Sequence, residues 1–238
     1  MRSFDGCFSV SDRHSVQGRP MTSHDAATGG QVRHLRHPLI DHHLALLRDR
    51  ATEPPEFRLL VQRLAMLLAY EATQDLSLLP IEVHTPMTYT QGHVVRERVG
   101  LVPILRAGLG MVDPLLQLIP NAEVWHLGVY RDETTAQPIE YYSKIPETGP
   151  VEVGLVLDPM LATGGSINSA VAALKAWGVP RIKVLSIISS RAGVAAVQAH
   201  NPDVQIFTCA IDPELDARKY IVPGLGDAGD RIFNTRRE

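Results

Sequence analysis

The stretch of residues 153–170, VGLVLDPMLATGGSINSA, constrains the fold of this chain more than any other. Its first five residues are apolar, a run too short for a helix and typical of a strand buried on both faces. Pro159 cannot continue a central ladder, so we expect the strand to end at about Asp158. Residues 167–177 are predicted to be helical. A strand, a turn of small residues and a helix in this order direct backbone N–H groups at one point, where they can bind a phosphate.

The turn itself contains two glycines between two hydroxyl side chains. Gly164 and Gly165 are both expected to adopt positive φ and to let the backbone approach a ligand closely. Thr163 and Ser166 add hydroxyl donors on either side. The whole segment is therefore predicted to bind a phosphomonoester.

Strands alternate with helices along most of the chain, which predicts an α/β fold with a doubly wound, mostly parallel sheet. A hairpin of residues 81–84 and 94–98 is expected before the first buried strand. The remaining predicted strands are 99–105, 123–130, 153–157, 182–188 and 204–210. The predicted helices are 38–48, 56–76, a helix ending near 118, 167–177 and 192–200.

Three further segments flank this alternation. Residues 38–76 form a predicted N-terminal helical arm, whose stripe of Phe57, Leu60, Val61 and Leu64 belongs either to the core or to a subunit interface. Residues 1–30 are expected to be a flexible extension, which leaves 31–238 as a single domain. The polar segment 132–148 predicts a flexible hairpin that could cover a site. Glycines and acids alternate near the C-terminus, so residues 211–235 are predicted to form an ordered loop.

Charged side chains follow several of the predicted strands. Arg106, Arg131 and Asp158 each stand at or just past a strand end, and the carboxyl ends of parallel strands meet at one edge of a sheet. Arg106 lies between apolar neighbours and needs an anionic partner, either a ligand phosphate or an intramolecular carboxylate. Asp158 could accept hydrogen bonds from sugar hydroxyls or contact a metal-bound water. A phosphosugar with a second phosphate group fits these features together.

Composition and motifs exclude several other classes. A net charge of −3 gives no general basic field for nucleic acid. No apolar run approaches the length of a membrane span, and Cys7 and Cys209 form no metal-ligand spacing, so a reducing, cytoplasmic setting is expected. No Lys follows the two glycines as a Walker A loop requires, and Asp113 stands where a dinucleotide fingerprint needs its third glycine. No usable Ser–His–Asp or Cys–His arrangement is present.

Three segments carry a resemblance to a known family. LVLDPMLATGGS at 155–166 resembles the phosphoribosyl pyrophosphate (PRPP) loop of type I phosphoribosyltransferases, and a single acid followed by proline is similar to the uracil phosphoribosyltransferases in particular. VPILRAGLGM at 102–111 and YIVPGLGDAGDRIF at 220–233 resemble two other segments of that family. The similarity extends from about Val32 to the C-terminus. It implies the type I phosphoribosyltransferase fold, with a flexible hairpin and a C-terminal hood at 211–235.

The resemblance also implies a reaction and a set of site residues. Uracil and PRPP would give UMP and diphosphate with Mg²⁺, and no metal ligand of the protein is assigned. Arg106 and Arg131 would bind the diphosphate, and Asp227 would face the phosphoribosyl group beside the uracil pocket of Ile221, Gly226 and Ala228. Many members are homo-oligomers, which suggests a dimer or a tetramer, and some respond to GTP. The PRPP loop would comprise Asp158, Pro159, Met160, Leu161, Ala162, Thr163, Gly164, Gly165 and Ser166.

Three residues depart from the family pattern. Asp216 stands where relatives usually have Asn, and Lys219 and Asn234 stand where Gly is usual. Most type I enzymes also have two adjacent acids where this chain has only Asp158. These departures concern the hood and the metal more than the sheet.

Two rival functions remain open at this level. One is a non-catalytic regulator of the same fold that binds a nucleotide or RNA, which the net charge disfavours. The other is a phosphoribosyltransferase for a purine or for orotate, against which the PGLGDAG sequence of the tail argues. A purely structural module would leave the phosphate loop unexplained.

Overall fold

A computed structural model describes residues 30–131, 138–143 and 149–235 of the chain. The predicted extension of residues 1–30 lies outside the described residues except for Gly30. The helices are α1 (Pro38–Arg48), α2 (Pro54–Ala72), α3 (Val112–Leu118), α4 (Gly165–Trp177), α5 (Arg191–His200) and α6 (Ala228–Phe233), and a 3₁₀ turn spans Ala107–Met111. The strands are β1 (Val32–His34), β2 (Leu78–His84), β3 (Tyr89–Val95), β4 (Val99–Pro103), β5 (Glu123–Val124), β6 (Leu127–Arg131), β7 (Pro138–Ser143), β8 (Val153–Leu157), β9 (Met160–Leu161), β10 (Arg181–Ser190), β11 (Gln205–Asp212), β12 (Glu214–Leu215) and β13 (Ile221–Val222).

The central sheet runs in the order β1–β11–β10–β8–β4–β5, and β9 adds a short pairing to β10. All of these pairs are parallel. The chain runs outward from β4 to β5, then returns to place β8 on the other side of β4. The order of the strands therefore reverses between β4 and β8, and a doubly wound sheet binds ligands at such a point.

Helices cover both faces of the sheet, as the predicted doubly wound fold requires. Successive residues of β8 alternate between two buried clusters: Leu155 and Leu157 belong to the cluster built with α1, α2, α3 and α6, and Val156 to the one built with α4 and α5. This alternation follows from the two-residue period of a strand. Both faces are apolar, which explains why β8 reads as a continuous hydrophobic run.

The helical arm packs on the sheet. Phe57, Leu60, Val61 and Leu64 of α2 are at most 1% exposed and lie in the same cluster as the inner residues of β8 and β10. The stripe is therefore core, the first of the two alternatives that the sequence left open. Helix α1 has the predicted bounds, whereas α2 begins two residues before and ends four residues before the predicted 56–76.

The predicted strand 123–130 is divided in the structure. Glu123–Val124 joins the central sheet beside β4, and Leu127–Arg131 leaves it to pair with Pro138–Ser143 in a separate antiparallel hairpin. The sequence predicts a hairpin within 132–148. In the structure the hairpin begins at Leu127, five residues before that segment. The backbone of this hairpin contacts α4.

The other strand predictions agree with the structure within a few residues. Strands β2 and β3 form the expected hairpin, which pairs with no other described strand. Pro103 is the last residue of β4, where a missing N–H is tolerated.

Within the described ranges, no helix is long and apolar enough to cross a membrane.

Candidate functional site at the carboxyl edge of the sheet

The predicted phosphate loop begins directly where β8 ends. All five residues of β8 are buried. The backbone N–H of Asp158 donates to Leu185 O at 3.2 Å, and Ile188 N donates to Pro159 O at 3.0 Å, so the turn stays attached to β10. The loop then lines an open cleft of about 220 Å³, a volume that includes solvent at its mouth. Pro159 is buried and does not line this cavity, whose walls are Asp158, Met160, Leu161, Ala162, Thr163, Gly164, Gly165, Ser166 and Ile167.

Only one of the two loop glycines has the predicted positive φ. Gly164 has φ +84°, and a Cβ atom there would lie 3.0 Å from the carbonyl oxygen of Gly193. Gly165 is instead the first residue of α4 and is helical. The prediction of positive φ is therefore wrong for Gly165, because the helix begins two residues earlier than the hydrophobic pattern indicated.

Helix α4 opens on the cavity with its N-terminus. Gly164 supplies no capping side chain, and Gly165, Ser166 and Ile167 of the first turn line the cavity wall. The first-turn N–H groups of a helix have no carbonyl partner within the helix, and the helix dipole adds positive potential there. This is the phosphate-binding geometry that the sequence predicted.

Two buried serines that the sequence analysis missed support the loop from below. Ser186 Oγ accepts a hydrogen bond from Leu161 N at 3.0 Å and donates to Ile188 O at 2.9 Å. Ser190 Oγ donates to Ala162 O and accepts a hydrogen bond from Gly193 N at 2.8 Å. The second of these hydrogen bonds caps the N-terminus of α5. A serine between a strand and a helix predicts a helix cap, but its contact with a loop 28 residues earlier has no local signal.

Arg106 is exposed rather than held among its apolar neighbours. Its side chain is 59% exposed, and its guanidinium donates from Nη2 to Asp230 Oδ1 at 3.0 Å and from Nη1 to Thr235 Oγ1 at 3.4 Å. The peptide bond between Leu105 and Arg106 is cis. The structure thus realises the intramolecular alternative, and this exposed ion pair still leaves Arg106 accessible to an incoming anion.

The sequence predicts that Arg131 lies just past the end of a strand of the central sheet, but the structure places it elsewhere. It is the last residue of β6, opposite Pro138 in the separate hairpin. Its side chain lies outside the described residues. Its backbone belongs to a hairpin that contacts α4, the helix whose N-terminus forms the phosphate loop.

The tail is ordered, as predicted, and forms a compact hood. Strand β12 pairs with β13, and Ile221 and Ala228 are buried while Gly226 is exposed. Asp227 Oδ1 accepts a hydrogen bond from Asp230 N at 2.9 Å and so caps α6. Asp227 therefore has a structural contact besides the ligand role that the resemblance implies.

The hood and the phosphate loop share one apolar cluster. Ile221, Leu225 and Ala228 of the hood belong to it, and Met160 and Ala162 of the loop pack against it. The ion pair from Asp230 to Arg106 adds a second connection. The structure therefore brings the loop, Arg106 and the hood together at the carboxyl edge of the sheet.

Cys209 lies in the same cluster but cannot serve as a nucleophile. It is 2% exposed, and burial raises the pKa of its thiol to about 12. A thiol with so high a pKa is protonated at neutral pH, and the thiolate is the reactive form. Cys209 is therefore excluded as the nucleophile of this site.

Phosphoribosyltransferases generally use a divalent metal, and the residues at this site fit one that is shared with a ligand. Asp158 lines the cavity, and its Oδ1 accepts a hydrogen bond from Met160 N at 3.1 Å. The described residues contain no cluster of three His, Cys, Asp or Glu that could enclose a metal ion. A cation held by one or two carboxylates, water and the phosphates of a ligand suits this donor set.

A parallel sheet covered on both faces, with a phosphate loop at its reversal point and a hood beside it, defines a type I phosphoribosyltransferase fold. Residues 34–235 match the family model of uracil phosphoribosyltransferase. The chain belongs to the uracil phosphoribosyltransferase family.

Individual relatives agree with this assignment along most of their length. The uracil phosphoribosyltransferase of Roseiflexus castenholzii is 56% identical over 84% of this chain and 96% of its own. That of Streptococcus suis is 49% identical over 87% of this chain and 100% of its own. A solved structure of the AQ2163 protein from Aquifex aeolicus is 34% identical, with a TM-score of 0.82 over 87% of this chain and 100% of its own.

Proposed function

We propose that this chain is a uracil phosphoribosyltransferase, a pentosyltransferase that converts uracil and PRPP to UMP and diphosphate in pyrimidine salvage. The observation that carries the proposal is the open cavity formed by Asp158–Ser166 at the N-terminus of α4, beside the hood. Family membership supplies the identity of the substrates, since the relatives bear that name. Residues 31–238 act together as one domain, and the expected setting is the cytoplasm.

The loop holds the 5′-phosphate and ribose of PRPP in this proposal. Backbone N–H groups from Thr163 to Ser166 surround the phosphate, and the hydroxyls of Thr163 and Ser166 add donors. Asp158 accepts hydrogen bonds from the ribose hydroxyls, because a carboxylate is unsuited to direct contact with a phosphate. These contacts fix the C1 carbon relative to the hood, and orientation of the reacting atoms contributes strongly to such a rate.

The arginines act on the leaving group. Negative charge builds on the diphosphate as its bond to C1 breaks and the ribose gains oxocarbenium character. Arg106 and Arg131 would stabilise that charge, and one such donor is typically worth roughly 3–4 kcal/mol. Arg106 can exchange its exposed contact with Asp230 for the diphosphate at small cost. Mg²⁺, when bound, would neutralise part of the charge on the same phosphates.

The hood recognises the base. Ile221, Gly226 and Ala228 would contact uracil mainly through backbone groups, and Asp227 would face the ribose. Uracil N1 attacks C1 as the diphosphate leaves. No described side chain stands out as a general base, so the N1 proton passes to water or to the departing diphosphate.

A panel of bases tests this proposal most sharply. Uracil, orotate, hypoxanthine and guanine are each incubated with PRPP, Mg²⁺ and the enzyme, and the nucleotide is measured by chromatography. We expect UMP from uracil and negligible product from the others. Product from another base would reassign the substrate, and no product from any base would favour a regulator of the same fold.

A pair of glycine variants tests the loop. Gly164→Val places a β-branched side chain at φ +84° against Gly193 O, so we expect UMP formation to fall by about a hundredfold or more. Gly149→Val is the matched control, because a Cβ there meets nothing within 4 Å. Equal activity of the two variants would contradict the assignment of the loop.

The oligomeric state and the response to GTP are separate predictions. We expect a homo-oligomer, a dimer or a tetramer, since the β2–β3 hairpin exposes large apolar side chains that a subunit contact would cover. Light scattering after gel filtration measures the size, and titration with GTP at low PRPP measures activation. The large apolar side chains that this hairpin exposes are Leu78, Leu79, Ile81, Met87, Tyr89, Val94 and Val95.

A further inference from the structure

The turn that leads into the base-binding part of the hood has a backbone shape that few residues tolerate. Gly224 has φ +60°, and a Cβ atom there would lie 2.0 Å from the carbonyl oxygen of Ile221. Gly226 follows with φ +79°. If the hood recognises uracil through backbone groups, the position of this turn determines where those groups point. Side chains that hold the turn would then control binding of the base without touching it.

An ion pair between Arg48 and Asp212 holds both backbone polar groups of Gly224. Arg48 Nη1 donates to Gly224 O at 2.8 Å, and Gly224 N donates to Asp212 Oδ2 at 3.0 Å. The two side chains also bind each other, from Arg48 Nη1 to Asp212 Oδ2 at 2.8 Å and from Nη2 to Oδ1 at 2.7 Å. Arg48 is the last residue of α1 and Asp212 the last of β11, so the turn is attached to two rigid elements.

A second arginine holds the next residue of the same turn. Arg231 Nη1 donates to Leu225 O at 2.9 Å and to Leu47 O at 2.8 Å, and Nη2 donates to Asp49 O at 2.6 Å. Its guanidinium also lies 4.2 Å from the centre of the Phe57 ring. Arg231 is 5% exposed, so these contacts are sheltered from water.

We propose that Arg48, Asp212 and Arg231 are positioning residues for uracil, a role that rests on the proposed function. Together they hold Gly224 N–H, Gly224 C=O and Leu225 C=O, the polar groups that immediately precede Gly226. They connect the turn to α1 and β11 rather than to the phosphate loop. Loosening them therefore weakens binding of the base and leaves binding of PRPP intact.

The test compares two conservative variants with a matched control. Arg48→Lys keeps the charge but removes the planar fork that binds Asp212 and Gly224 together. Asp212→Asn keeps the shape and removes the charge. Arg98→Lys is the control, because Arg98 also contacts a carboxylate, Glu123 at 2.6 Å, but beside the amino ends of β4 and β5. Thermal unfolding identifies which variants are folded, and steady-state kinetics give kcat and both KM values.

We expect the KM for uracil to rise about tenfold in Arg48→Lys and Asp212→Asn, the size expected when a hydrogen bond to a charged group is lost. The KM for PRPP should stay close to that of the unchanged enzyme, and Arg98→Lys should alter neither. Hydrogen exchange at residues 221–226 should accelerate in the same two variants.

An unchanged KM for uracil in either folded variant, or an equal rise of both KM values, would overturn the positioning role. If one variant does not fold, the other decides. If the unchanged enzyme fails to make UMP, the proposed function itself is refuted. The positioning role of these residues in uracil binding is then refuted with it.

Discussion

Lys219 and Asn234 have left-handed backbones, with φ +67° and +56°. These are the two positions at which the resemblance implies glycine. Asn234 closes α6, and Asn tolerates this conformation better than most residues. Lys219 lies in the turn between β12 and β13, where Asp216 Oδ1 accepts hydrogen bonds from Arg218 N and Tyr220 N at 2.8 Å each. Both residues therefore adopt a conformation that glycine would adopt at a lower energetic cost.

Lys219→Gly should stabilise the protein by about 0.5–1 kcal/mol. The left-handed conformation costs a lysine roughly 1–2 kcal/mol, and the greater freedom of glycine in the unfolded chain offsets roughly half of this. Urea unfolding of the variant and the unchanged protein measures the difference. Asn234→Gly should give a smaller gain, and a loss of stability in Lys219→Gly would contradict the interpretation.

The elements most readable from the sequence were those with a local pattern. The apolar runs predicted β4, β8, β10 and β11 within a few residues, and the period of the helical stripe predicted α2. The sequence predicts strand 123–130 as one element because nothing local marks the point at Trp125 and His126 where the chain leaves the sheet. The conformation of Gly165 is not predictable in this way, because a glycine pair does not show which member begins the helix.

The supports of the site were not predictable for a different reason. Ser186 and Ser190 contact loop residues 25 and 28 positions earlier, and Arg231 contacts α1 and the turn after it across more than 180 positions. Such contacts exist only once the strands have been ordered. Sequence patterns gave the elements that carry the site and the residues that line it, but not the side chains that hold the lining in place.

Ser190→Ala should weaken both an element and the loop that it supports. The hydroxyl caps α5 and donates to Ala162 O, so we expect a loss of about 1–2 kcal/mol in the free energy of unfolding. The KM for PRPP should rise, because Ala162 lines the cavity. Thr73→Ala is the control, since its hydroxyl donates to Ala69 O at 2.7 Å and to Tyr70 O at 3.3 Å at the C-terminal end of α2, outside the phosphate loop. A loss of stability with an unchanged KM for PRPP would be consistent with capping of α5 but would contradict the claim that Ser190 supports the loop.

On the scale of the whole molecule, the candidate site lies at one edge of the sheet and a set of buried and partly buried ion pairs lies at the other. The carboxyl edge carries the loop, Arg106 and the hood. The amino edge carries ion pairs that join separate segments: Glu97, just before β4, accepts from Ser77 N at 2.9 Å and from Arg181 Nη2 at 3.0 Å. Lys183 is 1% exposed and donates to Ala72 O and to Asp75. We therefore expect a substitution at the amino edge to change stability without altering the candidate site at the carboxyl edge.

The pH dependence of stability should report on Glu97. Burial alone would raise the pKa of this carboxyl, but its hydrogen bonds from Ser77 and Arg181 outweigh burial and lower the pKa below the ordinary 4.5. A carboxyl with a lowered pKa stabilises the fold above its ordinary pKa, and this contribution is lost as the pH falls through the folded pKa. Glu97→Gln should therefore cost about 1.5–3 kcal/mol at pH 7, and the difference from the unchanged protein should shrink below pH 4.5.

Urea unfolding between neutral and acid pH provides this measurement. Glu82→Gln serves as the control, because Glu82 is exposed in the β2–β3 hairpin, where it contacts His84 at 3.5 Å. A Glu97→Gln deficit that stays constant or grows as the pH falls would show that the carboxylate charge does not stabilise this edge.

The central claim is that one edge of the sheet holds a phosphosugar at the loop and a pyrimidine at the hood. A crystal structure of the protein with UMP tests this most directly. We expect the phosphate against the N-terminus of α4, within hydrogen-bond distance of backbone N–H groups from Thr163 to Ser166, and the pyrimidine ring against Ile221 and Gly226–Ala228. A phosphate bound away from this loop, or a base that makes no contact with the hood, would contradict the account.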